Sequence, residues 1–135
     1  MLYLDCRMLE GSGISTYLSN LIQQFRSNHS KIQLNYLVKH YSNLISQAPD
    51  YPGQHLFQSK IYSINEQLFF PKAYDKNDLL HVPHYNAPLR FPGKLIVTVH
   101  DLCHLVMKEF FKGPAKRFYA TIFMAMVLKL SLIHI

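Results

Sequence analysis

The stretch Lys94-Leu95-Ile96-Val97-Thr98-Val99-His100-Asp101-Leu102 decides the fold class. Leu95 to Val99 are apolar or β-branched, run without a charge, and stop at His100-Asp101. A run this short and this β-branched reads as a strand buried on both faces, as in a parallel sheet covered by helices. Open α/β sheets bind ligands outside the carboxyl ends of their strands, which is where the two polar residues fall. The expectation is a central strand over Lys94–Leu102 that delivers a functional histidine.

Earlier in the chain, Met1–Arg7 reads as a first strand ending in Asp5-Cys6-Arg7, and Gly11-Ser12-Gly13 as a turn into a helix with Ser12 as its N-cap. Ile14, Tyr17, Leu18, Leu21, Ile22 and Phe25 then form one apolar stripe at helical spacing, closed by Ser27-Asn28. Ile32–Val38 reads as a second strand, Lys39–Gln47 as a short helix and His55–Phe57 as a third strand. Ser63–Phe70 has helical composition, with Ile64 and Leu68 on one side, and is ended by Pro71. Asp75–Asp78 is a polar turn, Leu79–Val82 a brief buried strand and Pro83–Pro92 a proline-punctuated loop. A helix starts near Pro114, where proline suits the first turn. Alternating strands and helices predict an α/β domain with a mainly parallel sheet. Three polar loops, Arg7–Gly13, His84–Asn86 and His100–Leu102, would then converge on one edge of that sheet.

The chain has 135 residues, 49% of them hydrophobic and 16% charged, which fits one globular domain, small for a complete α/β enzyme. A net charge of +6 favours anionic partners without choosing among them. Cys6 and Cys103 have no CxxC spacing, and the opening MLYLDCR is too short and too soon charged for an export signal, so a reducing, cytoplasmic compartment is expected. Phe118–Leu128 is uncharged but falls short of the roughly 20 residues of a bilayer span, so a buried helix is expected there. The Lys108–Arg117 cluster beside it could touch anionic lipid, although a solvated face is the commoner explanation.

The glycine turn either offers backbone N–H groups to a phosphate or sugar hydroxyl, or only makes the turn. A dinucleotide site is disfavoured, because Thr16 replaces the third glycine and Lys39-His40 stands where a ribose-binding acid belongs. His100-Asp101 with His104, and His81-Val82-Pro83-His84, invite a metal reading, but neither spacing is a zinc signature, so no metal is expected. His29, His40 and His55 read as structural. The basic residues are scattered with no aromatic-interleaved patch, so nucleic acid is not favoured.

Four segments in order carry a resemblance: Asp5-Cys6-Arg7; Gly11-Ser12-Gly13-Ile14-Ser15-Thr16-Tyr17; Leu80-His81-Val82-Pro83-His84-Tyr85-Asn86-Ala87-Pro88; and Thr98-Val99-His100-Asp101-Leu102. Up to about Lys129 the chain resembles the N-terminal half of the family 4, "group 1", retaining glycosyltransferases of the two-domain GT-B fold. The resemblance implies a Rossmann-like sheet flanked by helices, incomplete here, with residues 1–129 forming the acceptor-side domain. It also implies a C-terminal donor-binding domain, carrying a Glu-x7-Glu pattern, that is absent from this chain. On it, Gly11 and Gly13, with Ser12 between them, would line the cleft near the donor diphosphate. His100 would approach the transferred sugar, and Asp101 would orient His100 or cap the next turn. Arg7, His84, Tyr85 and Asn86 would serve the acceptor side or the structure. Partners would be a nucleotide-sugar donor and a glycan or lipid-linked acceptor, in surface-polysaccharide or glycolipid assembly, at the cytoplasmic face of a membrane. No metal or other cofactor would be required. The last residues, Leu130-Ser131-Leu132-Ile133-His134-Ile135, depart from the family and read as the translation of a transposase mosaic-end adapter (CTG TCT CTT ATA CAC ATC). Residues 130–135 are therefore expected to be an artificial tail, with the strand due after the Pro114 helix missing and the fragment inactive alone. The rival reading is a small flavodoxin-like binding module for a phosphorylated ligand or a partner protein.

Overall fold

A computed structural model describes residues 1–10, 13–28, 32, 34–40, 53–68, 74–101 and 114–134. Among these, the chain runs β1 (Leu2–Asp5), α1 (Gly13–Ser27), β2 (Leu34–Val38), β3 (Gln54–Leu56), α2 (Ile64–Leu68), β4 (Leu79–Val82), β5 (Lys94–Val97), α3 (Pro114–Leu130) and β6 (Ser131–His134). The strands form one six-stranded sheet in the order β3-β2-β1-β4-β5-β6, and every pairing is parallel. This is the doubly wound Rossmann order. Its topological switch point lies between β1 and β4, which pair with Leu2 opposite Leu79 and Leu4 opposite His81. The flavodoxin-like order is thereby replaced, since there β3 rather than β4 would flank β1.

Alternation along the strands divides the core between the two faces. Leu4, Tyr36 and Val38 pack with Leu18 and Ile22 of α1. Tyr3, Leu37, Leu80, Val82, Leu95 and Val97 pack on the opposite side with Phe123 and Val127 of α3. The expected stripe of α1 holds throughout: Ile14, Tyr17, Leu21 and Phe25 flank the two fully buried positions. β2 is buried at every residue rather than alternating, and it starts at Leu34, with Ile32 left exposed.

Three further expectations change. β5 ends at Val97, five residues before Leu102, and Ile96 is only half-buried, so one face is less covered than expected. Thr98 nevertheless stays in register through its N–H, which donates to the Val82 carbonyl at 3.0 Å. In α2 the apolar residues point outward, with Ile64 and Leu68 exposed, while Glu66 is completely buried. A strand does follow α3. β6 pairs with β5 across a register shift between Leu95 and Ile96. Ser131 bridges that break: its Oγ accepts from the Val97 N–H at 3.1 Å and donates to the Leu95 carbonyl at 3.4 Å. The expected helix over Lys39–Gln47 falls, beyond His40, outside the described residues, as do Gly11, Ser12, His29, Leu102, Cys103, His104 and Lys108.

Candidate functional site

The carboxyl ends of β1, β4 and β5 bring two side-chain clusters to the switch point. The first is buried. Asp5 ends β1, and Arg7 folds back on it, its Nε at 2.9 Å from Oδ1 and its Nη2 at 2.6 Å from Oδ2. The same Nη2 reaches Glu66 Oε1 at 2.5 Å, Nη1 donates to the Ser59 carbonyl, and the guanidinium lies 4.3 Å from the Phe57 ring centroid. Glu66 Oε2 accepts from the Asn86 amide and from the Tyr62 N–H. Tyr119 Oη of α3 donates to Asn86 Oδ1 at 2.7 Å. One relay thus ties the end of β1, the start of α2, the loop after β4 and α3 together.

Burial pushes the Asp5 carboxyl up, but the charge and hydrogen bonds of Arg7 outweigh it and hold Asp5 below the usual carboxylate range. For Glu66 burial wins over the same guanidinium, and its carboxyl is held high. Two carboxylates share one cation, and Asp5 has the larger part of it.

His84 sits beside this relay with both ring nitrogens buried and without a hydrogen-bond partner among the described residues, its Nε2 3.8 Å from Asp5 Oδ2. Burial, only partly offset by Asp5, pushes its pKa down to about 4, so the ring is neutral at pH 7. Asp5, Glu66 and His84 present ligand atoms close enough together for a metal ion. The donor set argues against one: the oxygens of both carboxylates are already engaged by Arg7, Asn86 and Tyr62, and the guanidinium fills the place of the cation.

The second cluster is half-open. Thr98 Oγ1 lies 2.8 Å from His81 Nε2 and 3.2 Å from Tyr17 Oη, and the Tyr17 ring meets His100 edge-on at 5.0 Å. Burial, reinforced by His100, pushes the His81 pKa down. His100 and Asp101 stand exposed beyond the strand end. At the start of α1 a Cβ placed on Gly13 would meet open space, and its backbone is outside the left-handed region. Gly13 therefore starts α1 without backbone strain and with room for a side chain.

The expected site residues thus separate into two kinds. His100, Asp101 and Gly13 face outward, whereas Arg7, His84, Tyr85 and Asn86 are buried. The last four shape the site from behind. His81 and His84 belong to different clusters rather than to one ligand set. His55 is structural, bonded to Asn35 Oδ1 and packed edge-on against Tyr3.

Glu66, Tyr119 and Tyr62 were not legible as site residues. Ser63-x-x-Glu66 has the form of a capping box, and the Glu66 N–H does meet Ser63 Oγ at 3.2 Å, but the carboxylate turns to Tyr62, Arg7 and Asn86 instead. Beside the site, Cys6, Arg7, Glu10, Lys39 and His40 line a cavity of about 30 Å³, room for a water rather than a sugar. Among the described residues no helix is long and apolar enough to cross a membrane. Compared with known proteins, the chain matches no family model, no curated protein and no solved structure.

Proposed function

We propose that this chain is the acceptor-side half of a glycosyltransferase that moves a sugar from a nucleotide-sugar donor to a glycan or lipid-linked acceptor. The observation that supports the reading is the contact of Tyr17 of α1 with His100, 5.0 Å apart and edge-on, beyond the carboxyl ends of β4 and β5 in a Rossmann-ordered parallel sheet. That arrangement agrees with the four segments of family resemblance. Glycosyl transfer builds positive charge on the sugar and negative charge on the departing diphosphate. Neutral hydrogen-bond donors and backbone dipoles held in a closed cleft would stabilise this separation. In that scheme His100 contacts the sugar, Tyr17 packs behind it, and the Arg7 relay fixes the loops.

The test begins with the gene. Reading the genomic sequence beyond the Lys129 codon should reveal a further α/β domain with paired glutamates. The full-length product should then transfer labelled sugar to envelope acceptors, with His100→Ala reducing turnover strongly at unchanged folding. A native stop codon directly after Ile135, or wild-type turnover in His100→Ala, sinks the reading. One observation favours the rival, a binding module for a phosphorylated ligand or partner protein: β6 supplies a sixth parallel strand next to β5. The stop codon would select it.

A further inference from the structure

Tyr62 is the only non-glycine residue with positive φ among the described residues, at 66°. A bulky side chain adopts this conformation only where its surroundings impose it, and such outliers gather at binding sites. Here the imposing contact is visible: Glu66 Oε2, anchored by Asn86, accepts the Tyr62 N–H at 3.1 Å. The outcome is a large ring that is not spent on the core. Tyr62 is 45% exposed, with its ring 5.5 Å from Tyr85 and 5.9 Å from His84.

We propose that Tyr62, backed by the buried Tyr85, forms a carbohydrate subsite at the mouth of the switch-point crevice, with the exposed Tyr62 ring stacking on the apolar C–H face of a neutral sugar. The subsite deepens the acceptor-side reading above and rests on it for the molecule that would bring the sugar. An aromatic face rimmed by polar groups matches a pyranose, which has apolar C–H patches edged by hydroxyls. The rim consists of the two phenolic hydroxyls, which bond to each other, and the nearby Asp101 carboxylate. Among the described residues the local charge favours a neutral sugar. Burial, and after it Glu66 and Asp101, push the Tyr62 phenol up against the opposing hydrogen bond of Tyr85, while the Arg7 cation is engaged by Asp5 and Glu66. Among the described residues, an acidic sugar or a phosphate would meet the exposed Asp101 carboxylate here.

The test titrates the whole chain with methyl glycosides of glucose, galactose, mannose and N-acetylglucosamine, read by saturation-transfer NMR and tyrosine fluorescence. At least one should bind. Tyr62→Phe should keep that binding. Tyr62→Asn, which tolerates the left-handed backbone but has no ring, should weaken it about tenfold or more while its thermal midpoint stays at or above the parent's. Methyl glucuronide should bind less well than methyl glucoside. The subsite is refuted if no methyl glycoside binds, if binding survives Tyr62→Asn or is lost in Tyr62→Phe, if the glucuronide binds as well, or if only an octyl glycoside binds. Glycoside binding by a chain whose gene encodes no transferase would keep the subsite and remove the transfer reading. A working transferase without glycoside binding here would do the reverse.

Discussion

At the scale of single residues, the His84 imidazole carries a cost that depends on pH. Its folded pKa is depressed to about 4 from an ordinary 6.5. Stability is therefore complete above pH 6.5 and is lost as the pH falls towards 4, by roughly 3 kcal/mol at most. Glu66, held high, acts in the opposite direction in acid, and Asp5, held low, contributes its loss only at lower pH. Urea midpoints of parent and His84→Leu at pH 7 and pH 5 should separate these effects. The parent is expected to lose stability between the two and the variant much less; equal losses would show that His84 is not the group being protonated. Arg7 supports a second prediction. Arg7→Met strands two buried carboxylates and should cost about 3–5 kcal/mol, measured by urea unfolding. A loss below 1 kcal/mol would mean that solvent reaches the relay. That Arg7, His84, Tyr85 and Asn86 follow strand ends was legible because they lie in short polar segments directly after apolar runs. Glu66 was not, since its partners lie on β1 and in the loop after β4, and no local pattern encodes a contact across the sheet.

At the scale of elements, glycines that look alike in sequence do different work. A Cβ on Gly93, just before β5, would lie 2.2 Å from the Asp78 carbonyl and 2.8 Å from Phe91, where the Asp75–Asp78 turn closes on the strand. Gly93→Ala must push the backbone away and should cost about 1–3 kcal/mol in chemical denaturation. Gly13→Ala, at the first turn of α1 with open space around its Cβ, should instead be neutral or stabilising by up to about 1 kcal/mol. Reversed signs would contradict the packing at both turns. Periodicity made α1 readable, because its stripe faces one sheet surface along its whole length. It misled for α2, where five residues bury a carboxylate and expose Ile64 and Leu68. A helix that short is oriented by its ends and by single contacts. Here these are Gln67, which bonds the Ala87 carbonyl and the Leu89 N–H, and Glu66.

At the scale of the molecule, the strand order follows from two crossovers in opposite directions from β1, and the site lies where they part. The α/β class was readable from the alternation of strand and helix patterns, but the neighbour of β1 was not, because order depends on which faces the helices cover. β6 makes the same point at the sheet edge. Ser131–His134 is β-competent, and the side of β5 away from β4 offers its backbone groups to any such segment. Its contribution should be measurable whatever its origin. Ending the chain after Leu130 removes the Ser131 bridge to Leu95 and Val97 and turns β5 into an edge strand. The shortened chain should show a lower urea midpoint and a smaller denaturant slope, in proportion to the surface no longer buried. Light scattering should also detect concentration-dependent association through the uncovered edge. Ser131→Ala, which keeps the strand but removes the hydroxyl, should cost only about 1–2 kcal/mol. If truncation left midpoint, slope and scattering unchanged, β6 would lie outside the cooperative fold and the sheet would effectively end at β5.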